Sequence, residues 1–155
     1  MKSPDALADV EQFHEVFNLP VENTPTIPSE ERCRLRINLL EEELKELKAA
    51  IERKDLVEIA DAFCDLQYVL SGAILEFGFG DTFEKLFREV HRSNMSKVCQ
   101  TLEEAQQTVE HYKAKGIDAY IQAKEDMFVV YRKSDNKVLK SVRYSPAQLR
   151  KLIFP

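Results

Sequence analysis

The chain has 155 residues, 44% hydrophobic and 32% charged, with a formal net charge of −5. That mix excludes wholesale disorder, and no apolar run approaches the roughly 18 residues of a membrane-spanning helix. Lys and Arg are scattered, which excludes a broad nucleic-acid or membrane-binding surface.

The N-terminus, MKSPDALADVEQFHEVF, lacks the basic start and apolar core of a signal peptide, so a cytoplasmic protein is expected. Ser3-Pro4 predicts an N-cap and first position for a helix over about residues 4–18. Phe13 and Phe17, around His14, read as core aromatics of that helix, with a base-stacking wall as the alternative. NLPVENTPTIP, residues 18–28, holds three prolines and predicts an extended connection. Ser29 then caps a long helix, with Glu30 and Glu31 in its positive first turn and an end near Lys54. Its apolar residues Ile37, Leu40, Leu44, Leu47 and Ile51 alternate spacings of three and four, the pattern of a packing seam.

Asp55-x-x-Glu58 reads as a capping box for the next helix, with a seam of Ile59, Phe63, Leu66, Leu70, Ala73 and Phe77. FGFG, residues 77–80, ends it. Asp81-x-x-Glu84 predicts a further helix through about His91, and Thr101-x-x-Glu104 another, closed by Gly116. Residues 118–141 are rich in Val, Tyr, Phe and Ile, with turn signals at KED and SDN, and predict two or three short strands. Ser145-Pro146 should cap a last short helix through Leu152. The expected fold is all-α: a helical bundle over residues 1–100, with a helix and small C-terminal β-hairpin appended over residues 101–155. Cys33, Cys64 and Cys99 are odd in number and far apart, so reduced thiols are expected.

The chemistry lies in the carboxylates of the two central helices. Glu58, Asp61 and Asp65 share one stripe of the second, and like charges at such spacing each cost a helix about 0.2–0.5 kcal/mol. Lys85 is the one Lys or Arg between residues 55 and 87. On the first helix, Glu41, Lys45, Lys48 and Glu52 form an ordinary solvated stripe, whereas Glu43 and Glu46 lie towards the apolar flank. Unpaired buried charge is costly, so something positive should sit among these acids. With oxygen ligands alone, Mg²⁺ or Mn²⁺ fits better than zinc. Arg88, Arg92 and Lys97 follow the central helices and suit phosphate oxygens. Four glycines in all, with no glycine-rich loop, leave phosphate binding to metal and side chains.

LLEEELKEL followed by EIADAFCDLQYV resembles the all-α NTP pyrophosphohydrolase superfamily, which includes MazG-like, phosphoribosyl-ATP pyrophosphohydrolase-like and dimeric dUTPase-like proteins. Its signature of E-x-x-E on one helix and E-x-x-D on the next reads here as Glu43-x-x-Glu46 and Glu58-x-x-Asp61. EVHRSNMSK, residues 89–97, adds an N-x-x-K element, Asn94 and Lys97. The resemblance implies that the four acids hold Mg²⁺ (or Mn²⁺) against a nucleoside triphosphate, with Asn94, Lys97 and Arg92 on the substrate. Asp65 would support the site from behind or bind a further ion. Glu42 and Glu43 are both candidates for the carboxylate that activates water. The implied assembly is a homodimer or a tetramer. A non-catalytic helical adaptor that keeps the bundle is the rival reading. The tail carries a charge of the opposite sign: residues 118–152 hold eight cations against four anions, which suits either a lid over the acidic helices that completes the phosphate site, or a solvated appendage or dimer contact.

Overall fold

A computed structural model describes residues 4–154. Among them are α1 (Ala6–Val16), α2 (Glu30–Arg53), α3 (Leu56–Glu76), α4 (Phe83–Met95), α5 (Leu102–Lys113), β1 (Ala119–Lys124), β2 (Met127–Arg132) and α6 (Arg150–Ile153). This is the mostly helical architecture with a C-terminal hairpin that the sequence predicts. No helix among the described residues is long and apolar enough to cross a membrane. The chain forms two compact units, which meet in sequence at Phe83 and Glu84.

In the first unit, α1 and α2 both pack on α3. Ser29 caps α2 through Arg32 N–H as expected, and α2 ends at Lys54, a left-handed residue with φ 57°. The α1 cap falls on Asp5, whose carboxylate accepts from Ala8 N–H; the cap predicted at Ser3 lies outside the described residues. The connection over residues 18–28 is extended and lies along the end of α3, with Glu22 N–H donating to Leu75 O and Thr26 N–H to Phe77 O. Gly78 makes that approach feasible: its φ is +71°, and a Cβ would stand 1.9 Å from Thr24 O.

The core of this unit is not the one the periodicity predicts. Ile37, Leu44 and Ile51 on α2 are 55%, 58% and 53% exposed, and Phe63 on α3 is 57% exposed. Small residues let the helices approach instead: Ala50, Ala62, Ser71 and Gly72 are buried. Part of each predicted seam therefore faces outward, Ile37, Leu44 and Ile51 on α2 with Phe63 and Leu70 on α3, while Leu40, Leu47, Ile59, Leu66, Ala73 and Phe77 are half-buried. Phe13 and Phe17 are also exposed and stack on each other, while His14 between them is 1% exposed.

His14 belongs to a buried polar cluster. Glu76, with no exposure, accepts from Arg32 and from Arg36, the latter at 2.6 Å. His14 Nδ1 lies 2.8 Å from Pro20 O, and its Nε2 lies 3.1 Å from Arg36 Nη2. A carbonyl can only accept, so Nδ1 carries the proton and Nε2 accepts from the guanidinium. Gly72 leaves the room: a Cβ there would meet Arg36 Nη1 at 2.6 Å and His14 Nε2 at 3.0 Å. Burial pushes His14 below its ordinary range, and the charge of Arg36 adds to this against the Pro20 hydrogen bond. Burial would raise the Glu76 carboxyl, but hydrogen bonds from Arg32 and Arg36 outweigh it and hold the group low. Both groups then take up protons more readily when unfolded. Stability should be intact above about pH 6.5 and decline below it as His14 is charged in the unfolded chain, then fall further below about pH 4.3 as Glu76 follows. Melting curves from pH 8 to 4 check this. In His14→Gln the decline between about pH 6.5 and 5 should shrink, and an unchanged profile would rule His14 out as its source.

In the second unit, α5 packs on both strands around Cys99, Ala105, Val130 and Leu139. Thr101 caps α5 and Gly116 follows its end with φ +73°, both as predicted. The hairpin pairs Ala119 with Arg132 and Lys124 with Met127. Two differences stand out. No side chain caps the turn Gly80–Thr82 before α4, which runs on to Met95. The last helix is only Arg150–Ile153, because Ser145 bonds Ser96 and Arg92 rather than capping it.

Candidate active site

Two residues join α2 to α3. Lys54 N–H returns to Ile51 O and Asp55 N–H to Ala50 O, which closes a tight antiparallel hairpin. Asp55 Oδ1 caps α3 by accepting from Val57 and Glu58 N–H at 3.0 and 3.2 Å. The predicted capping box is only half made. Asp55 N–H is already taken by Ala50, so the Glu58 carboxylate is not needed there and stands exposed. Asp55→Ala should cost about 1 kcal/mol of stability, the usual worth of an N-cap. It should also weaken divalent-ion binding, since it loosens the first turn that carries Glu58. Thermal melts with and without Mn²⁺ separate the two effects.

The hairpin brings the acids of both helices together. Glu46, Glu58 and Asp61 line a hollow of about 170 Å³ with Ala49, Arg53 and Ala62. Glu43 lies half-buried beside them, and its Oε2 is enclosed with no hydrogen-bond partner among the described residues. Burial, then the charges of Asp65, Glu46, Glu42 and Asp61, raise the Glu43 carboxyl above its usual range. All five sequence-predicted ligands, Glu43, Glu46, Glu58, Asp61 and Asp65, thus fall on one edge of the α2–α3 pair. Glu42 is exposed next to it.

An enclosed carboxylate oxygen without a donor, among four further acids, is what an oxygen-seeking divalent cation would satisfy. Among the described residues no three of these groups are already gathered as a closed coordination set. Uncompensated like charges splay apart, so the cation itself would draw them in. A water molecule occupies about 30 Å³, so the hollow suits a hydrated ion or two and is too small for a whole nucleotide. The residue missed from the sequence is Arg53, a cation on the rim of the hollow. Its spacing of seven from Glu46 was the available signal, since that is two helical turns on the same face.

The predicted substrate groups lie in the second unit. Lys97 Nζ donates to Asn94 Oδ1 at 2.7 Å, just past the end of α4. Arg92 donates to Glu89, to Ser145 Oγ and to Pro146 O, so it ties the tail to α4. With the Gln148 N–H, it holds the Glu89 carboxyl down at about 2.

A family profile described as phosphoribosyl-ATP pyrophosphohydrolase matches residues 10–94, more than half of the chain and all five acids. The chain is also 38% identical over 68 residues to an uncharacterized protein, L479, of Acanthamoeba polyphaga mimivirus, covering 40% of this chain and 27% of that protein. It therefore spans about a quarter of the length of that curated relative. On the profile match, with the paired acidic motifs on one helical hairpin, the chain belongs to the phosphoribosyl-ATP pyrophosphohydrolase family, within the MazG-like all-α NTP pyrophosphohydrolase superfamily.

Proposed function

We propose that this protein is an Mg²⁺-dependent nucleoside triphosphate pyrophosphohydrolase, a hydrolase of phosphoric anhydrides that yields a monophosphate and pyrophosphate, with a role in cleansing nucleotide pools. The observation that carries the reading is the enclosed, donorless Glu43 Oε2 among Glu46, Glu58, Asp61 and Asp65. Mg²⁺ or Mn²⁺ held there supplies neutralisation of the triphosphate and a water of lowered pKa. The residues do the rest. Glu43, Glu46, Glu58 and Asp61 grip the ion, and Asp65 holds them in place. Glu42 or Glu43 accepts the proton of the attacking water. Asn94 and Lys97 bind phosphate or sugar, and Arg92 keeps the adjoining tail in place.

The test is pyrophosphate release from a panel of NTPs and dNTPs, with and without Mg²⁺. Release confined to the Mg²⁺ arm supports the reading; no release from any member leaves the adaptor as the better one. Lys97→Ala should lower kcat/KM roughly ten- to a hundredfold, as expected for a charge-assisted hydrogen bond of about 1.5–3 kcal/mol. Wild-type kinetics in that variant would return Lys97 to the solvent.

The outward apolar face supports self-association in a cytoplasmic setting. Ile37, Leu44, Ile51, Phe63 and Leu70 are all exposed on the α2–α3 pair, more apolar surface than monomers usually leave bare. A homodimer or tetramer is expected, and sedimentation showing only a 17.9 kDa species would contradict it.

A further inference from the structure

The second unit contains two lysines, 43 residues apart in sequence, that its backbone holds together. Strand β2 has β1 on one edge. On the other it bonds both the segment after α4 and the returning tail: Cys99 exchanges two hydrogen bonds with Phe128, and Leu139 N–H donates to Val130 O. Ser141 N–H then donates to Lys97 O at 3.2 Å, which stitches the two segments to each other. Lys140 and Lys97 are so placed by buried neighbours, Cys99, Leu139 and Ser141, rather than by mobile loops.

Tyr144 lies against Lys140 and is hydrogen-bonded to α4, one turn before Lys97. Its hydroxyl lies 3.0 Å from Ser93 Oγ, which is buried, and the Lys140 ammonium sits 4.3 Å from its ring centroid. The Ser93 hydrogen bond, and then the charges of Lys140 and Lys97, hold the phenol below its usual range. Both lysines thus act on one hydroxyl. Among the described residues neither ammonium is in an ion pair. The acids within reach of the same segments are satisfied elsewhere: Glu89 by Arg92 and Gln148 N–H, and Glu104 by Gln100 N–H and Ser141 Oγ. Lys97 occupies Asn94 Oδ1, so the amide nitrogen of Asn94 is left to donate.

We propose that Lys97, Lys140 and the Tyr144 hydroxyl form an anion site for a diphosphate group, with Lys140 and Tyr144 as its substrate-binding residues from the tail. Two ammonium groups on neighbouring, hydrogen-bonded backbone segments, with a hydroxyl and an amide donor, match the several charged oxygens of a diphosphate better than the single charge of a carboxylate. The site deepens the hydrolase reading, on which it rests for the origin of the anion: the β- and γ-phosphates of a nucleoside triphosphate, or the pyrophosphate product.

The test is calorimetric titration of the full chain, free of divalent ions, with inorganic pyrophosphate, with a nucleoside triphosphate blocked by an α,β-methylene bridge, and with a nucleoside monophosphate. Pyrophosphate should bind, and Lys140→Ala should weaken it roughly ten- to a hundredfold. Lys140→Arg should stay within a few-fold of wild type, and Tyr144→Phe should weaken binding several-fold. Lys140 is exposed; its backbone N–H donates to Tyr112 and survives substitution, and its side chain touches only the Tyr144 ring among the described residues, so the alanine variant should melt within a few degrees of wild type. If Lys140→Ala weakens the blocked triphosphate as well, the site takes the substrate; if it weakens pyrophosphate alone, the site takes the product. Monophosphate affinity should be indifferent to Lys140. Absent pyrophosphate binding, or binding unchanged in Lys140→Ala, overturns the inference. Such a result beside intact NTP hydrolysis would leave the activity standing, whereas Lys140-dependent binding without hydrolysis would sink the activity and leave the site.

Discussion

In the combined Glu58→Gln, Asp61→Asn variant, Mn²⁺ should no longer raise the melting temperature, and hydrolysis of any triphosphate substrate should fall at least about a thousandfold. The first effect follows from linkage. An ion that binds only the native state at a hundred times its dissociation constant stabilises by about 2.7 kcal/mol, and removing two of its carboxylates removes the binding. The second follows from the several kcal/mol of transition-state charge stabilisation that a bound metal supplies, at about 1.4 kcal/mol per tenfold in rate. Both side chains are exposed, and neither accepts a hydrogen bond from the described residues, so the variant should fold. Without metal it should melt no lower than wild type. It loses a favourable charge in the first turn of α3, worth about 0.3–1 kcal/mol, but also the repulsion among crowded acids. A Mn²⁺ shift that survives in the variant would refute the assignment of these residues to a metal.

Glu76→Gln should destabilise the protein by about 3–5 kcal/mol, the usual result of deleting one partner of a buried ion pair. At this chain length that amounts to a fall of about 10–20 °C in melting temperature. The amide nearly matches the carboxylate in shape, so packing is kept and the loss is electrostatic. Arg36, 6% exposed, would be left buried without its counter-charge, beside a histidine that already offers it a lone pair. Replacing the arginine as well should recover part of the loss, since a neutral pair no longer strands a cation. A single Glu76→Gln variant that melts within about 2 °C of wild type would show that solvent reaches the cluster and screens it.

How much of this was legible in the sequence depended on the range of the interaction. Ser29, Thr101 and Gly116 announce helix ends because a cap acts over three or four residues, and those elements fall where predicted. The acidic motifs were legible for the same reason: a short turn leaves two helices little choice but to lie side by side. The facing of the helices was not. Ile37, Leu44 and Ile51 have the spacing of a seam, but spacing cannot say whether the seam meets this chain or another surface. The cluster of His14, Arg32, Arg36 and Glu76 was invisible, because Glu76 is 44 and 40 residues from its two arginines and nothing local marks it. Ser145-Pro146 misled, because a serine that reads as a cap found better partners in Ser96 and Arg92, 49 and 53 residues back.

Surface connections ordinarily absorb insertions with little harm, but the Lys54–Asp55 joint has no such slack. Each residue of an α-helix advances the chain by about 100°. One residue added ahead of Leu56 would need a new turn and would rotate Glu58, Asp61 and Asp65 by that angle against Glu43 and Glu46, unless the extra length bulged outward. The length of this joint is thus a setting of the chemistry rather than a spacer. A library that lengthens or shortens it residue by residue should keep folded members yet lose metal response in nearly all of them, whereas the same changes at the Glu125–Asp126 hairpin tip should pass unnoticed.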